Sequence, residues 1–418
     1  MRVAVIGAGI VGVTTAYELA ADGHAVSVFE RDAGVATGTS FANAGVLAPG
    51  YVTPWAAPGM PMKVLRHLFS RHAPVRLGAG AIGQLPWLWR WWRACRLPVH
   101  QANRGRMQRL AHYSRLRMQG LATTLRLEYE QSDGYLVLLR SPRDLALAQG
   151  GMALLHELGV PFELLDADGC RRVEPGLNAE MRLQAGIRLA QDGAGNCRQF
   201  AHLMRGEAER LGAQFRFQQT VQRIQPGDAP VLQMGTPAAS ETFDAVVVCA
   251  GLDSAPLLRP LGLRLPLTAV HGYSITAPLR QIDAHPALGP RSALMDEKFK
   301  VAISRLGQRV RVAGSAEIGV AADHHDPAAI ATLYKVLNDW FPGAAELGRM
   351  QHWKGARPML PDGPPVVGSS GRPGVWLNLG HGSSGWALAC GSARLLADRL
   401  AGRTPEIDAS GLGIERLG

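Results

Sequence analysis

The sequence predicts an α/β protein in which a parallel-sheet nucleotide-binding domain is joined to an α+β part built on an antiparallel sheet. Three observations carry this. RVAVIG (residues 2–7) is an apolar run ending in glycine, followed by a helix-compatible stretch and by HAVSVFE (24–30), a β-α-β unit of about 30 residues. FDAVVVCA (243–250) reads as a further buried strand. Residues 267–276 and 299–315 alternate apolar and polar residues, as strands of a half-solvated sheet do.

In chain order, the helix between the first two strands shows apolar spacing at Val13, Ala16, Tyr17, Leu19 and Ala20 and stops at Gly23. Residues 33–62 are rich in Gly, Ala and Pro and read as loop; 63–128 read as mostly helical. Strands are expected at 134–139 and 160–165, flanking a helix near 143–158. A helix at 198–212 and a strand at 213–224 follow. The two alternating segments enclose a turn at Leu306-Gly307-Gln308; helices are expected at 327–341 and 384–400. At 418 residues, two or three domains are expected. Residues 1–50, 143–262 and 350–418 are assigned to a discontinuous nucleotide-binding domain. Residues 51–142 and 263–349 are assigned to a substrate domain with a helical insert at 63–127.

Apolar residues make up 47% of the chain, which excludes disorder. No apolar run approaches the roughly 18 residues of a transmembrane helix, and the N-terminus lacks the pattern of a secretory signal. Five scattered cysteines without a CxxC argue against a disulfide framework or a zinc site and for a reducing compartment. The histidines show no HxxxH or HExxH spacing, so no metal is expected.

Gly7-x-Gly9-x-x-Gly12 lies between the first strand and helix, the Rossmann-type arrangement. Gly7 allows the tight turn, Gly9 lets backbone approach a pyrophosphate, and Gly12 lets helix pack on strand. The helix N-terminus offers free N–H groups and a positive dipole end. Glu30, 18 residues past Gly12, closes the second strand where an acid can accept from a ribose. This pattern suits either NAD or FAD.

Downstream segments choose between them. They include GTSFANAG (38–45), PGYVTPWAAPG (49–59), RHAP (71–74), GVPFELLD (159–166), GNCRQF (195–200) and HGYSIT (271–276). KVAISR (300–305), RVRVAGSAEI (309–318), WKGARPMLPDG (353–363) and GHGSSGWALACGS (380–392) complete the set. Along essentially its whole length the chain resembles the D-amino-acid oxidase superfamily, and within it the bacterial FAD-dependent, quinone-linked D-amino acid dehydrogenases. The resemblance implies non-covalent FAD held by Gly7, Gly9, Ile10, Val11, Gly12, Glu30, Arg31, Thr39, Ser40, Asn43, Ala44 and Gly45. It adds Val221, Ala250, Gly251, Arg357, Gly380, His381, Gly382, Ser383 and Ser384. In the last group a Gly-rich loop can lie along the flavin, and the helix beginning near Ser384 can aim its positive end at the ring. Cys249 and Cys390, the cysteines in these segments, fall on buried elements, which argues against covalent attachment.

The resemblance further implies oxidative deamination of D-amino acids to 2-oxo acids and ammonia, with electrons leaving to a membrane quinone or other membrane acceptor. Val46 and Ala48 stand where the family usually has polar residues, so a cyclic substrate such as D-hydroxyproline is an alternative. An O₂-using oxidase and a non-catalytic flavoprotein subunit are two others. Arg357 matches a carboxylate-binding arginine of related flavin enzymes; the alternative is a structural arginine paired with Asp362. Tyr273 and Tyr51 could each offer a hydroxyl to the substrate or be core tyrosines, and Arg305 is a second carboxylate candidate on a surface strand. His381 could be a base, but hydride transfer from a neutral amine needs none, so a backbone and ring hydrogen-bonding role is favoured.

The net charge of +10 is unevenly placed. Residues 33–127 contain no Asp or Glu and 13 basic residues, and LPWLWRWWRACRL (85–97) clusters tryptophans with them. Trp87, Trp89, Arg90, Trp91, Trp92 and Arg93 are therefore expected to contact an anionic membrane surface, on the cytoplasmic face of the cell membrane. A core helix is the alternative. Nucleic acid is not expected, because the nucleotide motifs already account for the chain.

Overall fold

The computed structural model describes residues 1–67, 73–235, 238–281 and 288–417. Arg71 and His72 of the RHAP segment lie outside them.

The nucleotide part is a six-stranded sheet. Arg2–Ile6 lies at its centre, parallel to Ala25–Phe29 on one side and Ala245–Val248 on the other. Gln214–Arg216 continues beyond Ala25–Phe29, and Val375–Leu379 and Val366–Ser369 continue beyond Ala245–Val248. The central strands are apolar on both faces because helices cover both: Val3, Ala4, Val5, Val246 and Val247 have no exposed surface. The helices Ile10–Ala21, Cys197–Arg210 and Gly385–Leu400 pack together on one face and share a core with the long helix Leu97–Leu125.

The second sheet is large and mixed. Its order runs Gln351–Met359, Thr268–Pro278, Arg309–Ile318, Val301–Leu306, Ala293–Asp296, Ser132–Leu139, Ala185–Ala194 and Val46–Leu47. The expected hairpin turns at Gly307, with φ +59°. The helix Pro327–Trp340 covers one face, started by an Asp326 side chain that accepts from Ala328 N–H, and buries Trp340 completely.

Several expectations are corrected. Residues 213–224 are two strands, because Gln218 turns the chain at φ +57° between Gln214–Arg216 and Val221–Gln225, which belong to different sheets. The strand expected at 160–165 is only Glu163–Leu165. The loop at 33–62 holds Val46–Leu47 and the start of the helix Met60–His67. The segment expected to be mostly helical holds a strand, Val75–Leu77, paired with Arg309–Ile318. The strands Ala185–Ala194 and Gln351–Met359, assigned to the nucleotide part, pair within the large sheet.

The helix Leu85–Ala94 carries Pro86 in its first turn, where a missing N–H costs nothing. Trp87 and Trp91, one turn apart, are only 4% and 8% exposed. Both pack against Val270, Ala316, Ile318 and Met359, and the Trp87 indole donates to the Met359 carbonyl at 3.1 Å. The expectation that these two reach a membrane is therefore overturned: the face they share is the one the large sheet buries. Trp89 and Trp92 point the other way, 57% and 50% exposed with ring centroids 5.0 Å apart.

Candidate active site

Both sheets open onto one cavity of about 1160 Å³, larger than the roughly 300–1,000 Å³ of ordinary small-molecule pockets. At its nucleotide end the glycine turn divides its labour. A Cβ at Gly7, φ +100°, would lie 2.7 Å from the Cys249 carbonyl oxygen, and one at Gly12 would lie 1.9 Å from that of Gly7. Those two glycines are demanded by the protein's own packing. At Gly9 the nearest atom to such a Cβ is Ser40 Oγ at 3.6 Å, so the protein itself leaves room there. The space a Cβ would fill faces the cavity, at the start of a helix with no side-chain cap.

Glu30 accepts from Ala8 N–H at 2.7 Å and Asp32 N–H at 3.0 Å, which holds its carboxylate on the cavity wall. Ser40 accepts from Ile10 N–H at 3.0 Å, and Thr39 donates to the Ala356 carbonyl at 2.5 Å. Asn43 Oδ1 accepts from Gly45 N–H at 3.0 Å, and Ser304 holds the Ala44 carbonyl at 2.8 Å. These bonds tie the 38–45 loop to both sheets. Val11, Val221, Ala250, Gly251, Gly380, Gly382, Ser383 and Ser384 line the same cavity. Of the expected cofactor residues only Gly12 does not, as its packing role requires. Arg31 pairs with Asp253 at 2.7 Å on the rim. The residues present fit a dinucleotide.

Arg357 lies on the edge strand Gln351–Met359, opposite Val270. Its guanidinium crosses the neighbouring strand over Gly272, where a Cβ would lie 2.1 Å from Nη2, and donates through Nη1 to the Ser315 carbonyl at 3.0 Å. Among the described residues no carboxylate pairs with it. Asp362, the alternative partner, is bound by Arg416 at 2.8 Å. Burial pushes the Arg357 guanidinium down to about 10, so it stays charged at neutral pH.

The other candidates are differently placed. The Tyr273 hydroxyl donates to Glu317 at 2.8 Å and accepts from Asp326 N–H at 3.0 Å, so its polar end is engaged behind the sheet and only its ring serves the wall. Tyr51 donates to Glu297 at 2.6 Å and accepts from Lys300 Nζ at 3.1 Å. His381 is 4% exposed, its Nε2 is 2.9 Å from Ser392 Oγ, and burial pushes it down to about 3, so it is neutral. Arg305 is spent on the Gly307 and Pro290 carbonyls and does not reach the cavity.

The lining is electrically divided. Its carboxylates, Glu30, Asp32 and Asp253, all belong to the nucleotide end. Arg357, Lys354, Lys300 and Lys63 line the other end. Sequence reasoning passed over Lys63, Lys300, Ser315 and Gly272. The available signal was scarcity: three of only five lysines in the chain face this cavity.

The family of FAD dependent oxidoreductases termed DAO matches residues 2–399. A D-amino acid dehydrogenase of Cereibacter sphaeroides is 47% identical over 422 residues, covering 100% of this chain and 95% of its own. One of Rhizorhabdus wittichii is 43% identical, covering 100% of both. In architecture the chain is similar to glycine oxidase from Geobacillus kaustophilus, with a TM-score of 0.77 at 20% identity over 99% of this chain and 98% of that one. It is also similar to iminodiacetate oxidase from Chelativorans sp. BNC1, with a TM-score of 0.75 at 21% identity over 99% and 98%. With its glycine turn, carboxylate-bearing second strand and Gly-rich C-terminal loop converging on one cavity, the chain belongs to the DAO family of FAD dependent oxidoreductases.

Proposed function

We propose that the protein is a D-amino acid dehydrogenase that passes electrons to a membrane-borne quinone. The observation that carries the substrate class is Arg357: a charged guanidinium with no carboxylate partner among the described residues, held on the cavity wall by one carbonyl. Such a group is costly to bury unless a ligand completes it, and its planar fork suits a carboxylate. The relatives' name, D-amino acid dehydrogenase, supports the same reading.

FAD, when bound, supplies the two-electron acceptor. The chain's residues do the rest. Arg357 fixes the α-carboxylate and thereby the direction of the Cα–H bond. Tyr273 and the Gly272 backbone shape the wall beside it. Neither the neutral, buried His381 nor the engaged Tyr273 hydroxyl is placed to take a proton, so the substrate enters as the free amine. The amino acid loses two electrons and two protons, and water hydrolyses the resulting imine to a 2-oxo acid and ammonia.

For the acceptor, the support is the exposed face of Leu85–Ala94. Trp89 and Trp92 stand out beside Arg90 and Arg93, with Leu85 and Leu97 exposed at either end. Exposed indoles among arginines suit a headgroup boundary. No helix among the described residues is long and apolar enough to cross a membrane, so attachment through this face would be peripheral. The test is purified holoprotein mixed anaerobically with D- and L-amino acids, then offered a soluble quinone or O₂. Flavin bleaching by D-substrates and reoxidation by quinone without stoichiometric H₂O₂ is expected. Bleaching by L-substrates only, or stoichiometric H₂O₂, refutes it.

A further inference from the structure

We infer that the cavity holds a second anion subsite, formed by Lys63 and Lys300 with the Tyr51 hydroxyl, which takes the side-chain carboxylate of a dicarboxylic D-amino acid whose α-carboxylate lies on Arg357. This rests on the substrate class proposed above and narrows it.

The first support is the surplus of cations. A monocarboxylic amino acid needs only Arg357. Lys300 and Lys63 both line the same end of the cavity, and Glu297, which receives the Lys300 ammonium and the Tyr51 hydroxyl, lies behind the wall rather than on it. Among the described residues no carboxylate is within ion-pair distance of Lys63. Burial and the neighbouring Lys300 both push its ammonium down, as two like charges sharing one pocket require. An added anion would relieve that repulsion.

The second support is spacing. The Arg357 guanidinium reaches across one strand to the Ser315 carbonyl. Ser315 and Lys300 both have positive φ, +63° and +53°, and lie on adjoining strands of the sheet floor. A Cβ on Gly314 would lie 3.3 Å from the Lys300 carbonyl oxygen, so the two backbones touch where Arg357 ends. The two anion-binding groups are therefore about one to two strand spacings apart, roughly 5–10 Å, the reach of a four- or five-carbon dicarboxylate. Between them the floor is small-chained: Gly314, Ala313 and Ala302 leave room for the connecting carbons. Tyr51 stacks against Tyr135 at 5.5 Å and closes the end of the run.

The test compares D-glutamate with D-norvaline, its five-carbon analogue without the second carboxylate, using holoenzyme and a dye acceptor. Wild type is expected to favour D-glutamate in kcat/KM. Lys63→Gln should lower that ratio about tenfold, the scale of one charge-assisted contact at a partly exposed site, and Lys63→Arg should retain it. A wild-type ratio at or below one overturns the subsite, and so does an unchanged ratio in Lys63→Gln. If D-norvaline bleaches the flavin and D-glutamate does not, only the subsite falls. If no D-amino acid bleaches it, the substrate class falls and the subsite with it.

Discussion

Replacing Arg357 by lysine keeps the charge and removes the planar fork. In the protein the fork spends one nitrogen, Nη1, on the Ser315 carbonyl and leaves Nε and Nη2 for a ligand. A lysine has one nitrogen for both tasks, so either the anchor to Ser315 or the paired contact to the α-carboxylate is lost. A charge-assisted, two-point contact of this kind contributes roughly 1.5–3 kcal/mol, about ten- to a hundredfold in apparent affinity. The assay is steady-state oxidation of D-amino acids with a dye acceptor, together with flavin content from the visible spectrum. KM should rise by that factor with flavin retained. Gly272→Ala provides an independent arm, because its Cβ would stand 2.1 Å from Nη2 and must displace the guanidinium without altering it; it should raise KM in the same direction. If Arg357→Lys leaves KM and kcat untouched, the arginine serves the fold and the reasoning from its missing partner is refuted.

Gly12→Ala should separate the first helix from its strand, since the new Cβ meets the Gly7 backbone oxygen at 1.9 Å; a loss of about 1–3 kcal/mol and of flavin is expected by thermal melt and absorbance, and a stable yellow protein would contradict it. The tryptophans should divide by face. Trp87→Ala removes a buried ring and should cost about 3–5 kcal/mol, whereas Trp89→Ser with Trp92→Ser should leave the melting temperature in place and reduce flotation with anionic liposomes. Asp192 is buried, accepts from Gly50 N–H at 3.1 Å, and is pushed up to about 7 chiefly by that burial. A carboxyl with a folded pKa above its unfolded value stabilises the fold while protonated, so stability should fall as pH rises from about 4 to about 7. Asp192→Asn should show a shallower fall over that window, and an identical pH–melting curve would exclude this role.

Much of the nucleotide end was legible in the chain, because its determinants are local. A β-α-β unit places its glycines, helix start and Glu30 within 30 consecutive residues, and sheet, turn and dipole follow from that short stretch. Gly7 and Gly12 were read correctly for the same reason: the contacts that require them are made to the adjoining strand and to each other. The arginine on 357 could be singled out by its motif, but whether it was free could not, since Asp362, five residues away, was an equally good partner on paper. The tertiary structure decided that by giving Asp362 to Arg416, a residue near the other end of the chain. It likewise divided the tryptophans, because which face of Leu85–Ala94 is buried depends on where the large sheet lies, not on the helix's own alternation. Lys63, Lys300 and Tyr51 are separated by up to 249 residues in the chain and become neighbours only because the sheet pairs strands from four distant segments. Local chemistry thus determined what kind of molecule binds at one end; long-range strand pairing, which no periodicity encodes, decided which charges meet it at the other.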